Sequence, residues 1–209
     1  MYGKQPTVVC EKPVKCDEVF SYLYLPIKLS GQTTPRYERR LSRFDELIGT
    51  ICCNFVGEFG LDRYIDSNVY LTAHNMYQEA TSFNRIGYHS DGFGTTDICY
   101  LWSNSCPTVF NSSQFNLSGD DTQSLKEMAE QANTDNEYTY PNNTVLRLDQ
   151  FVIHRVGDII PGVRCFFKMC FSYDKYDLIG NSHNYELDYD WEMRPRQNKR
   201  NVPQSKITY

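Results

Sequence analysis

The hydrophobic pattern changes period once along the chain. Between Thr34 and Gly60, Leu41, Phe44, Leu47, Ile48, Ile51 and Phe55 fall at spacings of three and four. That spacing predicts one helix with a single apolar stripe. Thr34 is a candidate cap, Pro35 suits a first turn, and Gly57 and Gly60 are candidate terminators. From about Asn68 the period becomes two. "NVYLTAHNMYQ", "RIGYHSD", "DICYLWS", "TVLRLDQFVIHRV" and "VRCFFKMCFSYD" read as strands, bounded by Gly, Pro, Asn or Asp.

The last of these segments carries the most information. Val163, Cys165, Phe167, Met169 and Phe171 share one parity and form an apolar face expected to meet the helix. Arg164, Phe166, Lys168, Cys170 and Ser172 share the other, where two cations amid bulk suit the lining of a polar pocket. "DDTQSLKEMAEQA" predicts a second helix, capped by Asp120 or Asp121. Residues 1–33 read as irregular apart from a short strand at "FSYLYLPIKL". No repeat and no linker divides the chain, so one domain is expected over 1–209, of mainly β (α+β) class with covering helices. Its parts are an N-terminal region to residue 67, a core over 68–172 with an insertion at 104–144, and a C-terminal extension over 173–209.

Composition narrows the classes. The chain has 209 residues, a formal net charge of -5 and 40% hydrophobic residues, which describes a globular domain without a general affinity for polyanions. Its 16 Tyr and 12 Phe favour strands. No apolar run approaches the roughly 20 residues of a membrane span, and the first residues carry no long apolar core, so neither span nor leader is expected. The eight cysteines include no C-x-x-C pair. They are expected to be mostly buried reduced thiols, which implies a cytoplasmic setting.

The candidate chemistry lies in "GYHSDG". His89 and Asp91 are two residues apart, between Gly87 and Gly92, where a strand opening into a bend lets both side chains converge on one point. His154, in a strand-like segment, can supply a third ligand. Arg164 follows ten residues after it, beyond the turn-forming "GDIIPG". Two imidazoles and a carboxylate form the facial triad of non-haem Fe(II) oxygenases, which leaves the opposite face of the octahedron open. A buried arginine nearby suits the far carboxylate of a chelating dicarboxylate.

With "HSD", the His of "VIHRV" and the Arg of "GVRCFFK", the chain resembles the Fe(II)/2-oxoglutarate-dependent dioxygenase superfamily over about Val69 to Ser172. The resemblance implies a double-stranded β-helix, a jelly-roll barrel closed around the metal. It implies that His89, Asp91 and His154 bind Fe(II), that Arg164 grips 2-oxoglutarate, and that O2 is the oxidant. Many members place Ser or Thr two residues after the arginine, where this chain has Phe166. The second contact to 2-oxoglutarate is therefore sought elsewhere, with Tyr100, Tyr77 and Asn75 as candidates. Related halogenases replace the triad carboxylate with a small residue. Asp91 accordingly points to hydroxylation, or to a related desaturation or demethylation.

The remaining polar residues are assigned lesser roles. Asp149 and Gln150 are candidates for orienting His154 or lining the mouth. Arg155 reads as a solvated neighbour, Lys168, on the Arg164 face, as a cation at the barrel rim or a contact of cosubstrate or substrate, and His74 and His183 as packing or surface residues. The 104–144 insertion is a candidate lid, and the aromatic tail a candidate cover or homodimer contact. The charge favours a small molecule or amino-acid side chain as substrate, with a nucleobase or a protein as the alternative. Two other classes fit the same residues: a non-catalytic β-barrel, and a cupin-like protein holding zinc or manganese.

Overall fold

The computed structural model describes residues 1–79 and 87–196. Strand makes up 31% of the chain and helix 22%, so the sheet sets the architecture and the helices cover it. In chain order the elements are β1 (Thr7–Glu11), β2 (Phe20–Lys28), α1 (Asp45–Phe59), α2 (Leu61–Asp66), β3 (Asn68–Gln78), β4 (Ile98–Ser103), β5 (Val109–Asn111), α3 (Asp121–Gln131), β6 (Glu137–Tyr138), β7 (Thr144–Leu148), β8 (His154–Arg155) and β9 (Gly162–Ser172). Six strands form a large antiparallel sheet in the order β1-β7-β4-β9-β3-β2, and three form a smaller one in the order β6-β5-β8.

The apolar stripe of the first helix behaves as its spacing requires. Leu41, Phe44, Leu47, Ile48, Ile51 and Phe55 are all buried, in one cluster with Cys165, Phe167, Met169 and Phe171 of β9. Phe55 stacks on Phe171 with ring centroids 3.9 Å apart. The helix starts later than its stripe suggests. Arg39–Phe44 is a 3-10 turn, α1 follows at Asp45, and Thr34 and Pro35 lie outside it. Gly60 ends α1, where its φ of +88° turns the chain into α2, whereas Gly57 stays helical. The cap of α3 is Asp120, whose Oδ1 accepts from the Gln123 N–H at 2.7 Å.

Four expectations are corrected. β1 adds an unforeseen strand to the edge of the large sheet by pairing with β7. "TVLRLDQFVIHRV" is two strands, because Asp149 Oδ1 accepts from Phe151 N–H and Asp149 O from Val152 N–H, closing a turn that sends β7 and β8 to different sheets. The 104–144 insertion supplies β5 and β6 of the small sheet and buries Phe110, Phe115 and Met128, so it is wall rather than lid. Cys99 and Cys170 oppose each other across β4 and β9, with Cα atoms 4.2 Å apart, and are joined as a disulfide; the other six cysteines are free, as most were expected to be, but of these only Cys165 is buried.

The extension folds back on the domain. Tyr176 stacks on Tyr70 of β3 at 4.2 Å, and Arg194 pairs with Asp177. Arg85 and Ile86 of "RIGYHSD", and the basic tail from Gln197 onward, lie outside the described residues. Among the described residues, no helix is long and apolar enough to cross a membrane.

The two ends of the apolar face of β9 differ sharply. Phe171 is 1% exposed and Val163, of the same parity, is 57% exposed. Phe171→Ala is expected to cost about 3–5 kcal/mol in urea unfolding, whereas Val163→Ala stays within about 0.5 kcal/mol of the parent.

Candidate metal centre

Two backbone hydrogen bonds build the centre. His89 N–H donates to His154 O at 2.8 Å, and His154 N–H returns the bond to His89 O at 2.9 Å. This lone antiparallel bridge ties the "HSD" loop to β8 and sets the imidazoles side by side, with ring centroids 4.4 Å apart. Gly87 (φ +85°) and Gly92 (φ +67°) flank the loop in the left-handed region. A Cβ at Gly92 would lie 2.8 Å from Thr95 Oγ1 and 2.9 Å from Asp97 Cβ, so a side chain there would distort the turn that follows Asp91. Ser90 Oγ–H donates to Gln150 O, and Gly94 N–H donates to Gln150 Oε1. Asp149 therefore holds the turn before His154, and Gln150 holds the loop that carries His89 and Asp91.

His89, Asp91 and His154 are buried, and each offers a ligand atom such that the three lie within 4.8 Å of one another. Each imidazole has its Nδ1 against a backbone carbonyl, of Gly87 at 3.0 Å for His89 and of Val152 at 3.3 Å for His154. A carbonyl only accepts, so this contact selects the Nδ1–H tautomer and leaves the lone pair on Nε2. His154 Nε2 indeed lies 3.7 Å from Asp91 Oδ2. Carbonyl-braced imidazoles beside a buried carboxylate are what a divalent metal requires of its ligands.

Lys168 touches the centre itself, through Asp91, rather than reaching only the rim. Its Nζ is 3.1 Å from Asp91 Oδ1, so the two carboxylate oxygens face different partners. Burial alone would push the Asp91 carboxyl up. Lys168, His154 and His89 outweigh burial and hold it well below the usual carboxylate range. Burial likewise works against the Lys168 ammonium, and Asp91 with Tyr24 overcomes it, raising its pKa.

A cavity of about 350 Å³ opens from the centre. β3 and β9 of the large sheet and β8 of the small one line it. Arg164 is 3% exposed on its wall, and its Nε and Nη2 donate to the carbonyls of Ser105 (3.1 Å) and Cys106 (3.0 Å), which fixes the guanidinium plane. The triad and the arginine predicted from sequence thus share one cavity. The three proposed second contacts do not reach it. Tyr100 is buried on the helix-facing side, where its OH donates to Asn54 Oδ1; Tyr77 is 59% exposed; Asn75 donates to the carbonyls of Cys16 and Glu18. Tyr100 and Asn75 share a parity that faces the covering helix, and Tyr77 stands near the solvent-facing end of β3.

Three residues at the site escaped the sequence reading. His74 lines the cavity instead of packing away from it. Tyr24 lines it too, at a break in the β2–β3 register where its φ is +48°, an uncommon conformation for a bulky residue. Arg155 is no solvated neighbour, since Glu137 Oε1 and Oε2 accept from its Nε (2.7 Å) and Nη2 (2.8 Å). Tyr88 OH also donates to Glu137 Oε1. One carboxylate from the insertion thereby braces the neighbours of both histidines. A sharp β-bulge and a partner 18 positions away leave no periodic signal in the sequence.

A scan of the chain against protein-family models finds no match, and no curated protein matches it.

Burial, with repulsion from Arg164 added, lowers the His74 pKa from 6.5 to about 4. As pH falls, the unfolded chain takes up this proton first. The resulting penalty on the folded state is absent above about pH 6.5 and grows progressively towards pH 4. Unfolding free energy should therefore fall more steeply across that window in the parent than in His74→Phe, by up to about 3 kcal/mol. Chemical denaturation at a series of pH values measures it, and parallel profiles would contradict the assignment.

Proposed function

We propose that this chain is a non-haem Fe(II)/2-oxoglutarate-dependent dioxygenase that hydroxylates a C–H bond of a small molecule or an amino-acid side chain. One observation carries the reading. The closely spaced pair His89 and Asp91 and the distant His154, with both imidazoles braced by carbonyls, present ligand atoms within 4.8 Å of one another, in the same cavity as a buried, plane-locked arginine. An antiparallel sheet facing a smaller one across that cavity is compatible with the jelly-roll barrel such enzymes use, and this topology is part of the proposal.

In this reading His89, Asp91 and His154 hold Fe(II) through both Nε2 atoms and a carboxylate oxygen. The bound metal supplies activation of O2, coupled to oxidative decarboxylation of 2-oxoglutarate to succinate and carbon dioxide, with one oxygen atom passing to the substrate. The chain's own residues do the rest. Arg164 presents a fixed cation to the far carboxylate of 2-oxoglutarate. Lys168 pairs with Asp91 Oδ1, so Oδ2, which faces His154, would be the oxygen offered to the metal. Leu101, Met76 and Phe166 give the cavity apolar walls that limit access of water to the reacting atoms.

Anaerobic addition of Fe(II) and 2-oxoglutarate should produce a weak visible charge-transfer band. His89→Ala should abolish it, because two ligands do not hold the chelate. Arg164→Ala should weaken 2-oxoglutarate binding by roughly 10- to 100-fold, the range expected for loss of a charge-assisted bond, while metal affinity changes little. Absence of the band in the parent at saturating concentrations would overturn the proposal in favour of a non-catalytic β-barrel or a zinc or manganese protein. Substrate-stimulated succinate release, screened over small molecules and peptides, then identifies the target.

A further inference from the structure

The wall of the cavity contains an unsatisfied polar atom. His74 lies on β3 and lines the cavity, yet its Nε2 is buried with no hydrogen-bond partner. Leaving a buried polar group unmade is unfavourable, and native folds rarely tolerate it without a reason. The ring is well held, stacked on Phe166 with centroids 5.1 Å apart and planes 20° from parallel. Its position follows from the β3–β9 register. His74 stands opposite Phe166, Met76 opposite Arg164, and Thr72 opposite Lys168. His74 is thus the diagonal neighbour of both cations on the cavity-facing side, a spacing of about 7–8 Å between backbones that long side chains bridge.

We infer that His74 is a direct contact of the carboxylate that Arg164 receives, supplying the second hydrogen bond that Tyr100, Tyr77 and Asn75 do not reach. The inference rests on the dioxygenase reading, and it names the residue that this chain uses where Phe166 lacks a hydroxyl. A carboxylate offers several acceptor sites, and a guanidinium locked against the Ser105 and Cys106 carbonyls approaches it from a fixed direction. A ring N–H from His74 approaches from the adjacent strand. A neutral imidazole suits this place because it donates a hydrogen bond without adding a third positive charge between Arg164 and Lys168. The anion would accept from a ring nitrogen that no protein group pairs.

The alternative is that His74 merely packs against Phe166, and the two accounts differ in what replacement does. His74→Phe keeps the aromatic stack and removes both ring nitrogens. His74→Gln keeps an amide donor near the position of Nε2. The experiment titrates 2-oxoglutarate anaerobically into the full chain loaded with Fe(II), follows the charge-transfer band, and measures Mn(II) affinity and thermal midpoint separately. His74→Phe should weaken 2-oxoglutarate by about 10-fold or more with Mn(II) affinity within about twofold of the parent, and His74→Gln should recover most of the loss. The thermal midpoint of His74→Phe at neutral pH should equal or exceed that of the parent, because the unsatisfied atom is gone. Equal 2-oxoglutarate affinity in the parent and His74→Phe overturns the inference while leaving the dioxygenase reading intact. So does a loss that His74→Gln fails to restore, or one that tracks lost metal or a lower midpoint. A parent that binds metal but not 2-oxoglutarate overturns the reading and the inference together.

Discussion

The centre depends on the reciprocal hydrogen bonds between His89 and His154. Neither residue is in a long ladder. β8 has two residues, and the loop opposite contributes a single bridge. Two N–H···O bonds thus fix the relative position of the imidazoles, and each ring is then oriented by its own nearby carbonyl. Such a short pairing is marginal by itself, so it needs support on both sides. Glu137 provides it by gripping Arg155 next to His154 and Tyr88 next to His89, and Gln150 provides it by holding Ser90 and Gly94. The insertion that carries Glu137 is thereby part of the site's construction.

The electrostatics of the cavity rest on the same pairing. Asp91 is 9% exposed, and a lone carboxylate in that place would protonate. Two imidazoles and Lys168 around it keep it ionised. Lys168 in turn would lose its proton in an apolar wall, and Asp91 prevents that. Each buried charge exists because of the other, so the fold holds a ready anionic ligand without a metal. The arrangement has a cost: a divalent ion entering this site meets an ammonium on the far oxygen of its carboxylate ligand.

The features legible in the sequence are those with a period or a fixed chemical spacing. The stripe of α1, the two faces of β9 and the cap at Asp120 follow from local geometry, and the triad with Arg164 follows from which donors a metal and a dicarboxylate need. The features that were not legible depend on long-range register. Cys99 and Cys170 meet because β4 pairs with β9 at one offset. Tyr100 was judged by its strand rather than by its parity, and its side of β4 belongs to the helix. His74 has no ligand-like spacing to the triad, and its place depends on being diagonal to Arg164, which the β3–β9 pairing determines. The turn at Asp149 was hidden because a short Asx turn interrupts the alternation without a glycine or proline.

Register also explains why stability and chemistry are inseparable here. Along β9, residues of one parity (Cys165, Phe167, Met169 and Phe171) form the core against α1, and residues of the other (Arg164, Phe166 and Lys168) form the cavity. A slip of one residue would exchange the sets, pushing two cations into the apolar layer and four large apolar groups into the cavity. The energetic penalty for burying Arg164 and Lys168 without partners far exceeds the few kcal/mol that separate folded from unfolded chains. The core therefore enforces the placement of the two cavity cations. Cys99 and Cys170 lie at opposed positions on β4 and β9, on the cavity-side parity of β9, two residues beyond Lys168. A covalent link at that point ties the strand to one neighbour at a single offset. The position of Lys168 beside Asp91 is thus constrained twice, by hydrophobic burial on one face of the strand and by a cross-strand bond on the other.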